Sequence, residues 1–364
     1  MQALDPFQLR IFKEINKSHL SENIMVSPLS IYHILSLTTN GALNKTLSEM
    51  LQALNENGIQ NMNSSNQMLN KIISKLKAVN LANAVFTKFK PLESFINIIK
   101  KYHAEIKTLE SADQVNMWWK EKTNGKIPKI LDSLDPDDLM VLINAIYFQG
   151  KWEKSFDKRA TMKNKFMNLN KTPIEVLFMN KTDHFLYCEN NEVQAISLNY
   201  KGVDKLEALI ILPKNGKEND INNYINNLTL KKYSNIIQKL SNHKVSLRLP
   251  KFEINFGDEL KPYFNKLGMI QAFTNSADFS GMSKSNDLKI GKIIHKTFIK
   301  VDEEGTEAAA VTAVVMKAKS IMPRPEKIID MIVDHPFLFI IRSDELPKEH
   351  DILFISKVEC LWMI

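Results

Sequence analysis

The sequence predicts an α+β fold built on large antiparallel or mixed sheets. Three observations carry this. Helical patterns fill the first third of the chain, strand patterns dominate after position 139, and no βαβ alternation links the two. The 364 residues are 44% hydrophobic and 24% charged, which supplies a large buried core and is not a disordered composition. Length alone suggests two or three domains. No Pro/Gly/Ser-rich linker, charge run or low-complexity tract divides the chain, so a single domain over 1–364 is expected.

Taken in order, the first residues, MQALDPFQLRIFKEINKS, place Leu4, Phe7, Ile11 and Ile15 at the spacing of an amphipathic helix. They lack a basic start, an apolar block and a small-residue cleavage site. The expectation is a cytoplasmic protein, with leaderless release to the extracellular space left open. Residues 24–42 carry an early proline, an apolar stripe and a closing glycine, as a buried helix does. Residues 66–78 and 92–104 repeat the amphipathic pattern around a strand-like 81–88. A further helix over 112–127 is closed by Asn124–Gly125. LMVLINAIYFQG (139–150) is then nearly all apolar, as a strand covered on both faces requires. Residues 207–213, 244–256, 335–343 and 351–358 also read as strands, and no internal repeat is evident.

Composition excludes several chemistries. The longest apolar runs are too short to span a bilayer, so no membrane partner is expected. Formal net charge is +7, which favours acidic partners, but no nucleic-acid motif accompanies it. Cys188 and Cys360 stand in no CxxC pair and beside no histidine cluster; they read as free thiols, with no metal or other cofactor. There is no GxSxG, HExxH, GxGxxG or GxxxxGK, and the eight histidines are scattered, so the chain does not read as an enzyme.

Residues 301–325, VDEEGTEAAAVTAVVMKAKSIMPRP, carry the functional argument. Glu and Ala favour helix there. Gly305, the β-rich run Val311, Thr312, Val314 and Val315, and the polar, proline-bearing stretch 317–325 resist it. As a strand, the segment puts Thr306, Ala308, Ala310, Thr312 and Val314 on one small, uncharged face and Glu307, Ala309, Val311 and Ala313 on the other. Such a segment is tolerable both as exposed loop and as central strand.

The same stretch, IIHKTFIKVDEEGTEAAAVT (293–312), resembles the strand-plus-hinge segment of inhibitory serpins. NIMVSPLSIYHILSLTTNGA (23–42) is similar to that family's second helix, and NAIYFQGKWEKSF (144–156) to its central strand and following turn. LRLPKFEI, ADFSGM and DHPFLFIIR match further stretches in the family's order. The resemblance implies a serpin fold of three β-sheets and about nine helices, with an exposed reactive-centre loop at about 303–325. It implies a monomeric suicide-substrate inhibitor of a serine protease, held in a covalent complex. Counting fourteen residues from the hinge glycine, Gly305, places the cleaved bond at Lys319–Ser320. A lysine there suits the trypsin-like class. A chymotrypsin-like target stays open, as do bonds at Met316, Lys317, Met322 and Arg324. The resemblance also marks a hinge (Glu303, Gly305, Thr306, Ala308, Ala309, Ala310), a central polar cluster (Ser27, Ser30, Asn144, His295) and an opening region (Trp152, Lys251, the latter paired with Glu303). Lys71, Lys75 and Lys77 read as a solvated face, with weak heparin or polyanion binding as the alternative. The chain departs from the family at Ser356, where a glycine is usual, in its apolar ending ECLWMI and in the long stretch 320–334. A non-inhibitory binding protein of the same fold and an unrelated α+β enzyme stay as alternatives.

Overall fold

The structure is a computed structural model that describes residues 5–76, 78–122, 125, 129–202, 205–214, 221–284, 288–306 and 327–361, without the side chains of 80–81 and 144–147.

Helix α1 (Phe7–Ser18) buries Phe7, Ile11 and Ile15 on one stripe; Leu4 lies outside the described residues. The expected helix from 24 starts later. Ile24–Val26 is instead a strand, β1, with Ile24 opposite Lys357. Helix α2 (Pro28–Thr39) follows, buried along its whole length. Proline at its first position loses no hydrogen bond, and the Ser27 hydroxyl caps it by accepting the Ser30 N–H.

Next come α3 (Asn44–Leu54), α4 (Ile59–Ile73), β2 (Val79–Thr87), α5 (Glu93–Lys101), β3 (Glu105–Thr108) and α6 (Ala112–Lys122). Helix α4 starts and stops earlier than the expected 66–78. Its exposed face mixes Gln60, Asn61, Ser64 and Gln67 with Met68 and Lys71, which blurs the apolar stripe of Met62, Leu69 and Ile73. Helix α6 ends at Lys122, and Gly125, at φ 74°, donates its N–H to the Lys120 carbonyl as a left-handed cap does.

The rest is mostly strand: β4 (Met140–Phe148), β5 (Gly150–Lys151), β6 (Met162–Met167), β7 (Pro173–Glu189), β8 (Val193–Asn199) and β9 (Leu206–Pro213). Helices α7 (Ile221–Asn226) and α8 (Leu230–Lys239) interrupt the series before β10 (Ser241–Pro250) and β11 (Phe252–Glu259). Helix α9 (Lys261–Lys266), β12 (Lys292–Val301), β13 (Gly305–Thr306), β14 (Ile329–Ile332), β15 (Phe337–Ser343) and β16 (Ile352–Val358) complete the described chain.

One ladder path runs β1-β16-β15-β9-β8-β7-β10-β14, with β6 on β7. It is two sheets joined through the long strand β7, whose Pro173–Phe178 pairs with β6 while Leu186–Glu189 pairs with β8. The other sheet is β3-β2-β4-β12-β13-β5, with β11 on β12. Three sheets and nine α-helices among the described residues make the architecture α+β. Helix α2 packs against both β4 and β16, so the main core lies between the sheets along this helix.

Candidate functional site

The β4–β12 pair is parallel and has two regimes. The strands are direct neighbours from Lys292 opposite Val141 to Lys296 opposite Ala145. Beyond that point the ladder between them stops. At the far end β13 sits between β12 and β5, with Thr306 opposite Val301 on one side and Gly150 on the other. The sheet is closed at its centre and parted at one end by Gly305 and Thr306.

A tight turn delivers those two residues. The Asp302 N–H donates to the Gly305 carbonyl (3.0 Å), and the Glu304 N–H to Asp302 Oδ1 (2.9 Å). Gly305 is required by close approach, since a Cβ there would lie 2.1 Å from the Gly150 carbonyl oxygen and 2.7 Å from Lys151 Cα. Thr306 is fully buried and shares a 2.7 Å hydrogen bond with the Tyr200 hydroxyl. Trp152 stacks on Tyr200, ring centroids 4.7 Å apart and planes at 16°, and its indole N–H donates to the Asp302 carbonyl (2.9 Å). The Trp152 and Phe156 N–H groups donate to the Glu304 and Glu303 carbonyls, both at 2.9 Å.

Glu303 fastens the turn. Its side chain is 6% exposed and takes bonds from Lys251 Nζ at 2.9 and 3.3 Å and from the Thr161 hydroxyl at 2.8 Å. Burial opposes ionisation, but these bonds outweigh it and hold the carboxyl below its ordinary value. Outside, Lys158 pairs with Glu304 at 2.6 Å.

The closed centre is built differently. His295 is fully buried, and its Nε2 accepts the Ser27 N–H (3.1 Å) at the start of α2. The Ser30 hydroxyl donates to the Ser27 carbonyl (3.1 Å), and Thr297, two residues on from His295, donates to the Met25 carbonyl (2.7 Å). Burial pushes the His295 imidazole down to about 3, against a raising effect from Asp258, so it is neutral at physiological pH. In the ladder, Asn83, Asn144 and His295 stand opposite one another across β2, β4 and β12.

The structure therefore brings Ser27, Ser30 and His295 together, puts the Asn144 backbone in register with them, and gathers Trp152, Lys251, Glu303, Gly305 and Thr306 at the open end. The Asn144 side chain, Ala308, Ala309, Ala310, Lys319, Ser320 and the alternative bond positions Met316, Lys317, Met322 and Arg324 fall outside what is described, as does Lys77. Sequence reasoning missed Tyr200, Thr161 and Asn83. Asn83 had a readable signal, an amide in the apolar run of β2. Tyr200 and Thr161 had none, because their roles depend on contacts distant in sequence. Among the described residues no group of His, Cys, Asp and Glu could hold a metal, and no helix is long and apolar enough to cross a membrane.

The pattern of the Serpin (serine protease inhibitor) family matches residues 2–361. The leukocyte elastase inhibitor of Sus scrofa is 33% identical, with 97% of each chain covered. Among solved structures, a thermophilic serpin, tengpin, in the native state superposes with a TM-score of 0.86 at 32% identity, covering 98% of this chain and 92% of its own. Thyroxine-binding globulin in complex with thyroxine superposes with a TM-score of 0.85 at 25% identity, covering 98% and 97%. A family match over residues 2–361 and a relative 33% identical over 97% of each chain establish that this chain belongs to the serpin family.

Proposed function

We propose that the chain inhibits a serine protease by acting as its substrate once. The protease cuts Lys319–Ser320 and forms an acyl-enzyme on Lys319. The freed segment 305–319 then enters the main sheet between β4 and β12, carrying the enzyme with it. Cytoplasmic location, a monomeric single-domain inhibitor and a trypsin-like target belong to this proposal, with a chymotrypsin-like protease acting at a neighbouring bond as its variant.

One observation supports it most strongly: the register of β13. Thr306 lies opposite Val301 and Gly150, running antiparallel to both neighbours. Each later residue of an entering strand would pair one step further back along β12 and β4. Thr312 would then stand between His295 and Asn144, and Val315 between Lys292 and Val141, the two residues that now begin the direct β4–β12 pairing. The two registers, read independently, meet without a slip. Thr306 faces Tyr200 inside the protein, so Ala308, Ala310, Thr312 and Val314 would follow it inward and Glu307 would face out.

The magnitudes suit a trap. From Thr306 to Lys319 the strand spans about 43 Å at ~3.3 Å per residue, far enough to drag the bound protease across the inhibitor. New ladder hydrogen bonds at about 1 kcal/mol each, with apolar burial, give on the order of 10 kcal/mol. That is enough to distort the protease's oxyanion hole and stall deacylation. The uncut state would persist kinetically, held by the contacts at the open end and the centre.

Incubation with trypsin tests the proposal. The expected product is an SDS-stable complex and a C-terminal fragment beginning at Ser320, and Lys319→Ala abolishes both. A chain cut at that bond that releases the enzyme and gains no thermal stability would overturn the mechanism. The second reading, a non-inhibitory binding protein, is favoured by the likeness to thyroxine-binding globulin, and this outcome is the one it expects. A polyanion surface at Lys71 and Lys75, both exposed on and just after α4, is a lesser part of the proposal, read by salt-dependent retention on heparin.

A further inference from the structure

Between the open end and β6 the chain makes one short surface turn. Lys158–Ala160 form a single 3₁₀ turn, capped by the Asp157 side chain, which accepts the Arg159 N–H (2.9 Å). The turn ends at Thr161, whose backbone is extended (φ −73°, ψ 126°), and Met162 then starts β6. Among the described residues β6 pairs with β7 alone, so Thr161 leads into an edge strand. In sequence, Lys158-Arg159-Ala160-Thr161-Met162 is a hydroxyl preceded by two cations and followed by an apolar side chain. Protein kinases whose peptide cleft is lined with carboxylates select such a hydroxyl by its charges, in an extended chain.

Both cations are within reach of such a cleft. The Lys158 and Arg159 side chains are 57% and 86% exposed, and their pairs with Glu304 (2.6 Å) and Asp157 (2.8 Å) are surface pairs of little net worth. Met162 is 59% exposed. One other serine or threonine in the chain has Lys or Arg both two and three residues before it: Ser234, after Lys231 and Lys232. It lies inside α8, which withholds the extended backbone, and the polar Asn235 follows it. Thr161 is half-buried, and its hydroxyl donates to Glu303 Oε1 (2.8 Å). The turn that seats it is held lightly. The Thr161 N–H reaches the Lys158 carbonyl at 3.3 Å, and Asn180 Nδ2 donates to the Ala160 carbonyl (2.6 Å). Opening this one turn presents the hydroxyl while the sheets stay folded.

We propose that Thr161 is a phosphorylation site for a protein kinase that selects basic residues, and that the phosphate unfastens the turn carrying Glu303. The Thr161 oxygen attacks the γ-phosphorus of MgATP, the bond to the β-phosphate oxygen breaks, the hydroxyl proton passes to the kinase's base and ADP leaves. A hydrogen-bond donor to Glu303 becomes a phosphate that repels its carboxylate and competes with it for Lys251. The modification goes beyond the inhibitory reading and does not depend on it.

The probe is the catalytic subunit of a cyclic-AMP-dependent protein kinase with MgATP, added to the folded full chain and followed by intact mass, peptide fragmentation and melting temperature. The expected product carries one phosphate, on Thr161, and melts several degrees below the unmodified chain. Thr161→Val abolishes the transfer, and Ser234→Ala leaves it unchanged. The double variant Lys158→Ala/Arg159→Ala keeps the hydroxyl and slows the transfer by about tenfold or more, the loss expected for two charge-assisted contacts, so it decides the matter if Thr161→Val does not fold. Glu303→Gln, without the opposing charge, loses less melting temperature on phosphorylation. No incorporation into the folded chain, phosphate on Ser234 instead, or incorporation only after heat denaturation overturns the site. Phosphate on Thr161 with an unchanged melting temperature overturns its action on the turn.

Discussion

The open end and the closed centre of the main sheet resist the same movement with different materials. At the open end the fastening is ionic and aromatic: Lys251 on Glu303, and Trp152 stacked on Tyr200, with the lysine side chain 24% exposed. At the centre it is neutral and dry: one imidazole accepting one backbone N–H, with two serines and a threonine around it. A partly wet ion pair yields to protonation, salt or a competing charge. A buried neutral hydrogen bond yields only when its partners are pulled apart or recharged. In the proposed mechanism insertion starts where the fastening is adjustable and must then displace the one that is not.

Acid should separate the two most widely. A depressed imidazole pKa means the unfolded chain binds a proton that the folded chain refuses, so stability falls as pH drops from about 6.5 towards about 3. His295 alone contributes about 1.4 kcal/mol per pH unit in that window. His33 and His350, pushed down to about 4 by burial, add to the loss above that pH. Glu303 acts later. Its lowered carboxyl stabilises above the ordinary glutamate value, about 4.5, and that contribution is lost only as pH falls through the folded value. Denaturant titrations between pH 6 and 5, above the glutamate window, should show a slope shallower by about one proton in His295→Gln and a nearly unchanged slope in Glu303→Gln. Equal slopes in both variants would erase the distinction.

His295→Ala comes next. It leaves the Ser27 N–H unsatisfied beside a new cavity and should cost about 3 kcal/mol in chemical denaturation. Lys251→Met leaves Glu303 charged and unpaired and should cost about 2 kcal/mol, most of it recovered in the Lys251→Met/Glu303→Gln double variant. Gly305→Val should act on function more than on stability. Its Cβ collides with the Gly150 carbonyl, so β13 is expelled, and the yield of trapped protease per cut inhibitor should fall about tenfold, a 1.4 kcal/mol change in partition. The smallest effect is ionic: 1 M NaCl should remove less than about 0.5 kcal/mol from the Lys251–Glu303 coupling and nothing measurable from the Ser27–His295 contact.

How much of this was legible in the chain depends on where each signal resides. Strand β4 announced itself because both its faces are covered and the run is apolar but for Asn144. Strand β7 did not: exposed and buried positions alternate irregularly along it as it passes from one sheet to the next, so no single period fits its seventeen residues. The resemblance singled out Gly305 and Thr306, but not the reason for the glycine, which is the Gly150 carbonyl more than a hundred residues away. Thr161 and Tyr200 were invisible for the same reason. Local pattern reports what a residue is next to in the chain, and the contacts that hold the open end are nearly all remote.

Two seated residues fix a phase. Because alternate side chains of a strand point to opposite faces, in the proposed inserted strand the position of Thr306 against Tyr200 would dictate which side of every later residue turns inward. Deleting one residue after 306 would turn Val311 and Ala313 into the protein and thrust Thr312 and Val314 outward, though the composition of the segment would scarcely change. If the proposed insertion holds, the stretch from 306 to 319 is a ruler whose letters can be rewritten far more freely than its length.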